Sequence, residues 1–249
     1  MINQKNYSIK EKIMMFLGIL PFMDSMVDKK IIRPDLYFSP LFKRHTLQTI
    51  IKHYGGSDGH LINKATGALG YGFIHYAFVS AIRPSRILCV GSQQGYIPAI
   101  CALACKDNRH GHVDFVDAGK NSGESGNWGG TGFWKQHDPK QHFSVLGLDA
   151  RITPYITTTK QFAKKVKKRN WDYIYIDGDH SYQGVKTDYQ LFWPKLSEDG
   201  LMSLHDVTLK GTYGGEEFGA WKLWQEIKSD HKFYIGSGGA SLGFIKKVS

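Results

Sequence analysis

Up to about residue 80 the apolar positions recur at helical spacing, broken by short Gly-rich stretches such as YGGSDGH (54–60). From Arg86 onward, short apolar runs that suit strands alternate with helical stripes. RILCVG (86–91) predicts a strand, PAICALAC (98–105) a helix and HVDFVD (112–117) a second strand. A third strand is expected at Ile152–Thr157, followed by an amphipathic helix in KQFAKKVKKRN (160–170) with Phe162, Ala163 and Val166 inward. WDYIYID (171–177) predicts the fourth strand. In SYQGVKTDYQLFWPKL (181–196), Val185, Tyr189 and Phe192 form a helical stripe that Pro194 ends. LMSLHDV (201–207) then reads as strand, AWKLWQEIK (220–228) as helix, and FYIG with SLGFIKK as a closing antiparallel hairpin. Alternating strands and helices predict a doubly wound α/β fold on a mostly parallel sheet with right-handed crossovers.

The remaining composition narrows this picture. With 249 residues, 41% of them hydrophobic and 13% aromatic, the chain can bury a sizeable core and is not a disordered protein. No run of about 18 apolar residues exists. The early run IMMFLGILPFM is broken by Pro21 and lacks a small-residue cleavage site, so it reads as an amphipathic helix. That helix would pack on the body or on a second subunit, which leaves open a homo-oligomer through the N-terminal helices. Alternatively it would lie on a membrane surface. The net charge of 32 − 22 = +10 favours anionic partners. Much of that charge lies in 160–170, as a solvated helix face or a binding patch. Three cysteines, Cys89, Cys101 and Cys105, in apolar surroundings fit reduced thiols in a cytoplasmic protein. Cys101 and Cys105 lack the accompanying His or Cys pair that a zinc site needs.

In such sheets, ligands bind at the carboxyl ends of the strands, near the point where strand order reverses. The first strand ends in CVGSQQGY (89–96), where Gly91 and Gly95 bracket a tight turn into a helix. Neither a G-x-G-x-x-G fingerprint nor a P-loop is present. The second strand ends at Asp117, 26 residues after Gly91 (117 − 91), where a carboxylate can accept both hydroxyls of a ribose. A surface Asp capping a loop is the plain alternative. Asp177 and Asp206 end successive strands 29 residues apart (206 − 177), the length of one βαβ unit. Two carboxylates on one edge are costly without a cation or a proton between them, and a divalent ion is the economical solution. His205 as a further ligand would favour manganese, iron or zinc over magnesium. His180, three residues past Asp177, is a candidate general base. Asp179, His180 and Ser181 could instead cap the following helix.

The run IDGDHSYQGVKTDYQLFWPKLSEDGLMSLHDV (176–207) resembles the class I S-adenosylmethionine-dependent methyltransferases. Within them it is most similar to the small-molecule O-methyltransferases of the catechol, macrolide-sugar and cephalosporin-biosynthesis type, whose fourth strand ends in D-G-x-H-x-Y and fifth in H-D. The resemblance covers about residues 60 to 246. It implies a Rossmann-like, mostly parallel seven-stranded sheet with a C-terminal antiparallel strand. It also implies an N-terminal helical extension (1–60) before the catalytic domain (61–249). Gly91, Ser92 and Gly95, with Tyr96 closing the turn, match the loop that binds the methionine moiety. Asp117 matches the ribose ligand, and Thr157 and Thr158 fall beside the adenine. Asp177 borders the cofactor and, with His205 and Asp206, matches the metal-ligand positions. His180 matches the general base. The cofactors implied are S-adenosylmethionine and a divalent cation, magnesium or manganese. The acceptor implied is a small molecule or glycoside hydroxyl. Cys89 and Gln93 stand where the family usually carries an acidic residue and a glycine. The segment 118–141, with Trp128, Phe133 and Trp134, is a candidate lid or a loose loop, and GTYGGEEFGAW (211–221) is a candidate substrate wall.

Three rival readings remain on the sequence alone. One is a nucleic-acid methyltransferase, disfavoured because Asp177–Gly178–Asp179–His180 replaces the Asn/Asp-Pro-Pro-aromatic motif of amine-methylating enzymes. Another is a metal-dependent hydroxylase or hydrolase, and the third a non-catalytic protein on the same fold.

Overall fold

A computed structural model of the chain describes residues 45–55, 60–65, 67–91, 93–120, 130–213, 215–236 and 241–248. The apolar helix expected at 13–23 and the candidate ligand Ser92 lie outside the described residues. Five parallel strands are β1 Arg86–Gly91, β2 His112–Asp117, β3 Ile152–Ile156, β4 Trp171–Asp177 and β5 Leu196–His205. A short ribbon, β6 Thr212–Tyr213 with β7 Glu216–Glu217, stands apart. The sheet is completed by β8 Lys232–Gly236 and β9 Ser241–Lys246, in the order β3-β2-β1-β4-β5-β9-β8. β9 runs antiparallel to both β5 and β8, so the expected closing hairpin and the Rossmann-like seven-stranded sheet are both present.

The helices are α1 His45–Tyr54, α2 Tyr71–Ile82, α3 Tyr96–Asn108, α4 Phe133–Gln136, α5 Pro139–Val145, α6 Thr159–Lys165, α7 Tyr182–Phe192 and α8 Ala220–Glu226. Strands β1 and β4 are covered on both faces, which is why they read as near-continuous apolar runs. On one face, Leu88, Val90, Ile174, Ile176, Met202 and Leu204 pack with Phe162, Phe192 and Trp224. The period-two alternation of β4 sends Tyr173, Tyr175 and Asp177 to the opposite face. There Tyr173 meets His75 of α2 at 2.7 Å. Burial first, then His60 and His205, pushes the His75 pKa down to about 3, so that imidazole is neutral.

Two elements differ from expectation. The basic helix stops at Lys165, short of 170, because its lysine-rich end has little left to bury and Arg169 leaves it to pair with Asp114 at 2.8 Å. The fifth strand starts at Leu196, which is itself buried, five residues before the apolar run that marked it.

The register fixes where the chemistry meets. Gly91 is level with Asp177 across β1 and β4, and Ile176 with Leu204 across β4 and β5. Asp117 is level with Ile156. The carboxyl ends of the parallel strands therefore share one edge, centred on the β1/β4 reversal of strand order.

Candidate active site

At that edge lies a cavity of about 340 Å³, walled in part by Gly91, Asp117, Thr158, Asp177, His180 and Trp134. Its floor depends on Gly91, whose φ of +75° is left-handed. A Cβ there would sit 2.0 Å from the Asp177 carbonyl oxygen. Gly91→Ala is therefore expected to cost roughly 2–4 kcal/mol from backbone strain and overpacking together. Urea denaturation checks this, and an unchanged midpoint would contradict it.

The other residues of the turn serve it from behind. Gly95, at φ +85°, is pressed against Phe143 and Trp134, and a Cβ would meet Phe143 at 2.9 Å. The Tyr54 hydroxyl donates to the Gly95 carbonyl at 3.3 Å and contacts His142 Nε2 at 2.7 Å. Burial, then His53 and His137, lowers the His142 pKa to about 4, so it is neutral. Tyr96 points away from the cavity, its hydroxyl donating to the Leu69 carbonyl at 2.7 Å. Thr157 also lies off the cavity wall and donates its hydroxyl to Gln161 at 2.7 Å. Thr158 lines the cavity while its hydroxyl closes a capping box with Gln161 at the start of α6.

Asp117 accepts the Gly119 N–H through Oδ1 at 2.7 Å. Burial pushes its pKa up to about 6, against that hydrogen bond and with help from Asp177. Asp188 of α7, which sequence reasoning did not single out, also lines the cavity. Burial foremost raises it to about 7, against a bond from Thr159 and with a push from Asp179. Near neutral pH it is a carboxyl able to donate as well as accept.

Beside the cavity floor, two carboxylates and three imidazoles converge. Asp177 Oδ2 lies 2.8 Å from His60 Nε2, and Asp177 Oδ1 lies 3.1 Å from His205 Nδ1 and 3.6 Å from His180 Nε2. Asp206 reaches His180 Nδ1 through Oδ2 at 3.0 Å and His205 Nδ1 through Oδ1 at 3.3 Å. It holds that position at a left-handed φ of +58°, the kind of strain that collects at functional sites. Burial works against charge on Asp177, yet His205 and His60 hold its carboxyl well below the usual range. Burial likewise resists charge on His205, but Asp177 and Asp206 outweigh it and raise the pKa to about 10. The two carboxylates thus favour a positive charge between them, which a protonated His205 or a bound cation supplies.

A divalent cation fits that demand. Among the described residues, His205 Nε2 is buried without a hydrogen-bonded partner, and His205 Nδ1 and Asp206 Oδ1 have only the ion-pair contacts given above. His60, Asp177 and His205 each bring a donor atom to within 4.8 Å of the others.

The three residues after Gly178 divide their work. Asp179 Oδ1 accepts the Ser181 N–H at 2.9 Å, and Ser181 Oγ caps α7 by accepting the Gly184 N–H at 3.0 Å. Capping is therefore done by Asp179 and Ser181, and His180 reaches Asp206 instead. His60 carried no signal in the sequence: it ends a Gly-rich stretch 117 residues before Asp177 (177 − 60).

Residues 88–207 match the family described as "Methyltransferase domain". A curated relative, "Uncharacterized protein y4gI" of Sinorhizobium fredii, is 23% identical over 172 residues, 69% of this chain and 18% of that protein. The chain therefore spans less than a fifth of that relative's length. Among solved structures, the O-methyltransferase TomG from Streptomyces achromogenes, involved in tomaymycin synthesis and in complex with S-adenosylmethionine, superposes with a TM-score of 0.57 at 11% identity. That match covers 89% of this chain and 98% of TomG. The O-methyltransferase from Bacillus cereus in complex with S-adenosylhomocysteine gives 0.56 at 14% identity, over 88% and 97%. At these identities the likeness establishes the fold. Among the described residues, no helix is long and apolar enough to cross a membrane.

Proposed function

Because residues 88–207 match a methyltransferase domain family, we propose that this protein is a class I, S-adenosylmethionine-dependent methyltransferase that methylates a hydroxyl of a small molecule, such as a sugar, with cation assistance. The observation that carries the reading is the joining of Gly91, Asp117, Asp177 and His180 around one cavity at the strand reversal. The Gly91 turn leaves room for the methionine end of the methyl donor, and Asp117 accepts its ribose hydroxyls. Three buried free thiols, Cys89, Cys101 and Cys105, support a cytoplasmic location.

In the transfer, the acceptor oxygen bonds to the methyl carbon as the carbon–sulfur bond breaks, the electron pair staying on sulfur to give S-adenosylhomocysteine. The protein's task is to align that oxygen and to take its proton. Asp206 accepts the Nδ1–H of His180, which leaves the Nε2 lone pair to receive the proton. Asp177 Oδ1, 3.6 Å from Nε2, stabilises the imidazolium that results. Asp177, His205 and Asp206 would hold the divalent cation, which supplies Lewis acidity that makes an acceptor hydroxyl easier to deprotonate. Phe218, whose ring lies 6.0 Å from that of His180, offers an apolar wall for the acceptor.

Asp117 supplies a pH test of the cofactor half. The carboxylate form accepts the ribose hydroxyls, and its pKa is raised to about 6. S-adenosylhomocysteine affinity should be flat from pH 8 to 7 and weaken as pH falls through 6, approaching tenfold per unit. Calorimetric titration across pH 5–8 reads this. Asp117→Asn should bind weakly with no such dependence. An unchanged affinity in that variant would remove the ribose assignment.

A further inference from the structure

We infer that His60 is a cation ligand, and that with Asp177 and His205 it makes a two-imidazole, one-carboxylate face selective for a first-row transition cation such as zinc, iron or cobalt over magnesium. This rests on the reading of the Asp177–His205–Asp206 cluster as a cation site, and it does not rest on methyl transfer. His60 lies outside the residues matched by the methyltransferase family, so the domain alone would lack this donor.

Three observations support it. First, the separations fit. Donors at right angles about an ion with bonds of about 2.1 Å stand about 3 Å apart; Asp177 Oδ2 lies 2.8 Å from His60 Nε2 and Asp177 Oδ1 3.1 Å from His205 Nδ1, and one donor atom of each residue lies within 4.8 Å of the others. Second, both rings are buried. The His60 and His205 side chains are 4% and 10% exposed, and His205 Nε2 lacks a hydrogen-bonded partner among the described residues. The Tyr175 hydroxyl lies 3.2 Å from the same His60 Nε2, a contact that a bound ion would displace.

Third, the backbone is shaped to deliver His60. Its carbonyl accepts the Tyr71 N–H at 3.1 Å. Gly70, at a left-handed φ of +48°, passes so close that a Cβ would lie 2.1 Å from that carbonyl oxygen. Magnesium prefers oxygen donors and retains its waters, whereas imidazole pairs suit zinc, iron and cobalt. The donor set therefore points away from the oxygen-bound ion that paired carboxylates alone would hold.

The test uses the full chain stripped with a chelator and titrated separately with Co(II), Zn(II) and Mg(II). Cobalt d–d absorption and equilibrium metal content are the readouts, and S-adenosylhomocysteine binding is measured on the same samples. The wild-type protein should bind one Co(II) or Zn(II) at least about 100-fold more tightly than Mg(II). His60→Ala should lose more than the roughly 10–100-fold that removing an outer partner costs, while Mg(II) affinity changes little. His60→Gln, which keeps a polar side chain, guards against loss of folding, and circular dichroism verifies both variants. Equal Co(II) affinity in wild type and either folded variant would overturn the assignment of His60. Preference for Mg(II) in the wild type would overturn the selectivity without reference to any variant. Loss of S-adenosylhomocysteine binding by the wild type would overturn the methyltransferase reading instead.

Discussion

Replacing His180 with alanine is expected to leave S-adenosylhomocysteine affinity essentially unchanged and to lower kcat by about 10²–10⁴-fold, the usual contribution of a positioned general base. The two readouts separate because the residues that shape the donor's place are not those that take the proton. Gly91 is fixed by its register with Asp177, and Asp117 by the Gly119 N–H. His180 belongs to the loop between β4 and α7, whose cap is made by Asp179 and Ser181. Deleting the imidazole therefore leaves the helix start intact. The rate is read as S-adenosylhomocysteine release with the acceptor hydroxyl that the wild-type enzyme uses fastest. Wild-type turnover in His180→Ala would remove the residue from the mechanism.

The second large effect is expected at Asp206. Asparagine is the informative substitution, since it tolerates the left-handed backbone that Asp206 adopts and preserves the side-chain shape. What it removes is the charge opposite His180 Nδ1, at 3.0 Å, and opposite His205 Nδ1, at 3.3 Å, together with an anionic donor to the proposed cation. Without the carboxylate, the tautomer that frees Nε2 is no longer enforced and the imidazolium loses its counter-charge. A fall in kcat on the order of 10²–10⁴-fold is expected, again with S-adenosylhomocysteine binding retained. Full activity in Asp206→Asn would remove Asp206 both as the orienting partner of His180 and as a needed holder of the cation.

Much of the framework was legible in the chain because strands covered on both faces announce themselves as apolar runs. RILCVG and WDYIYID needed no tertiary knowledge, and one βαβ spacing was enough to bring Asp177 and Asp206 to the same edge. The extent of α6 was not legible. Its charged end continues the helical period, but only burial decides where a helix stops, and Arg169 finds Asp114 instead. The roles of Asp179 and His180 could not be separated either, since both suit a helix start; the fold gives the cap to Asp179 with Ser181. His60 was hidden for a different reason. Its position depends on a close backbone approach by Gly70 and on a meeting with a strand end far along the chain. Such proximity leaves no periodic trace. Tyr96 adjoins the Gly91–Gly95 turn in sequence, and its hydroxyl is directed to the Leu69 carbonyl, a partner that no local spacing indicates.

One edge of the sheet is expected to hold the methyl donor and the proton acceptor together. A crystal structure of the full chain with S-adenosylhomocysteine and manganese tests it most directly. The ribose hydroxyls should lie within hydrogen-bonding distance of the Asp117 carboxylate. The sulfur should face His180 across the cavity, with an ion between Asp177 and His205. An adenosyl group bound away from Asp117, or a sulfur turned from His180, would contradict it.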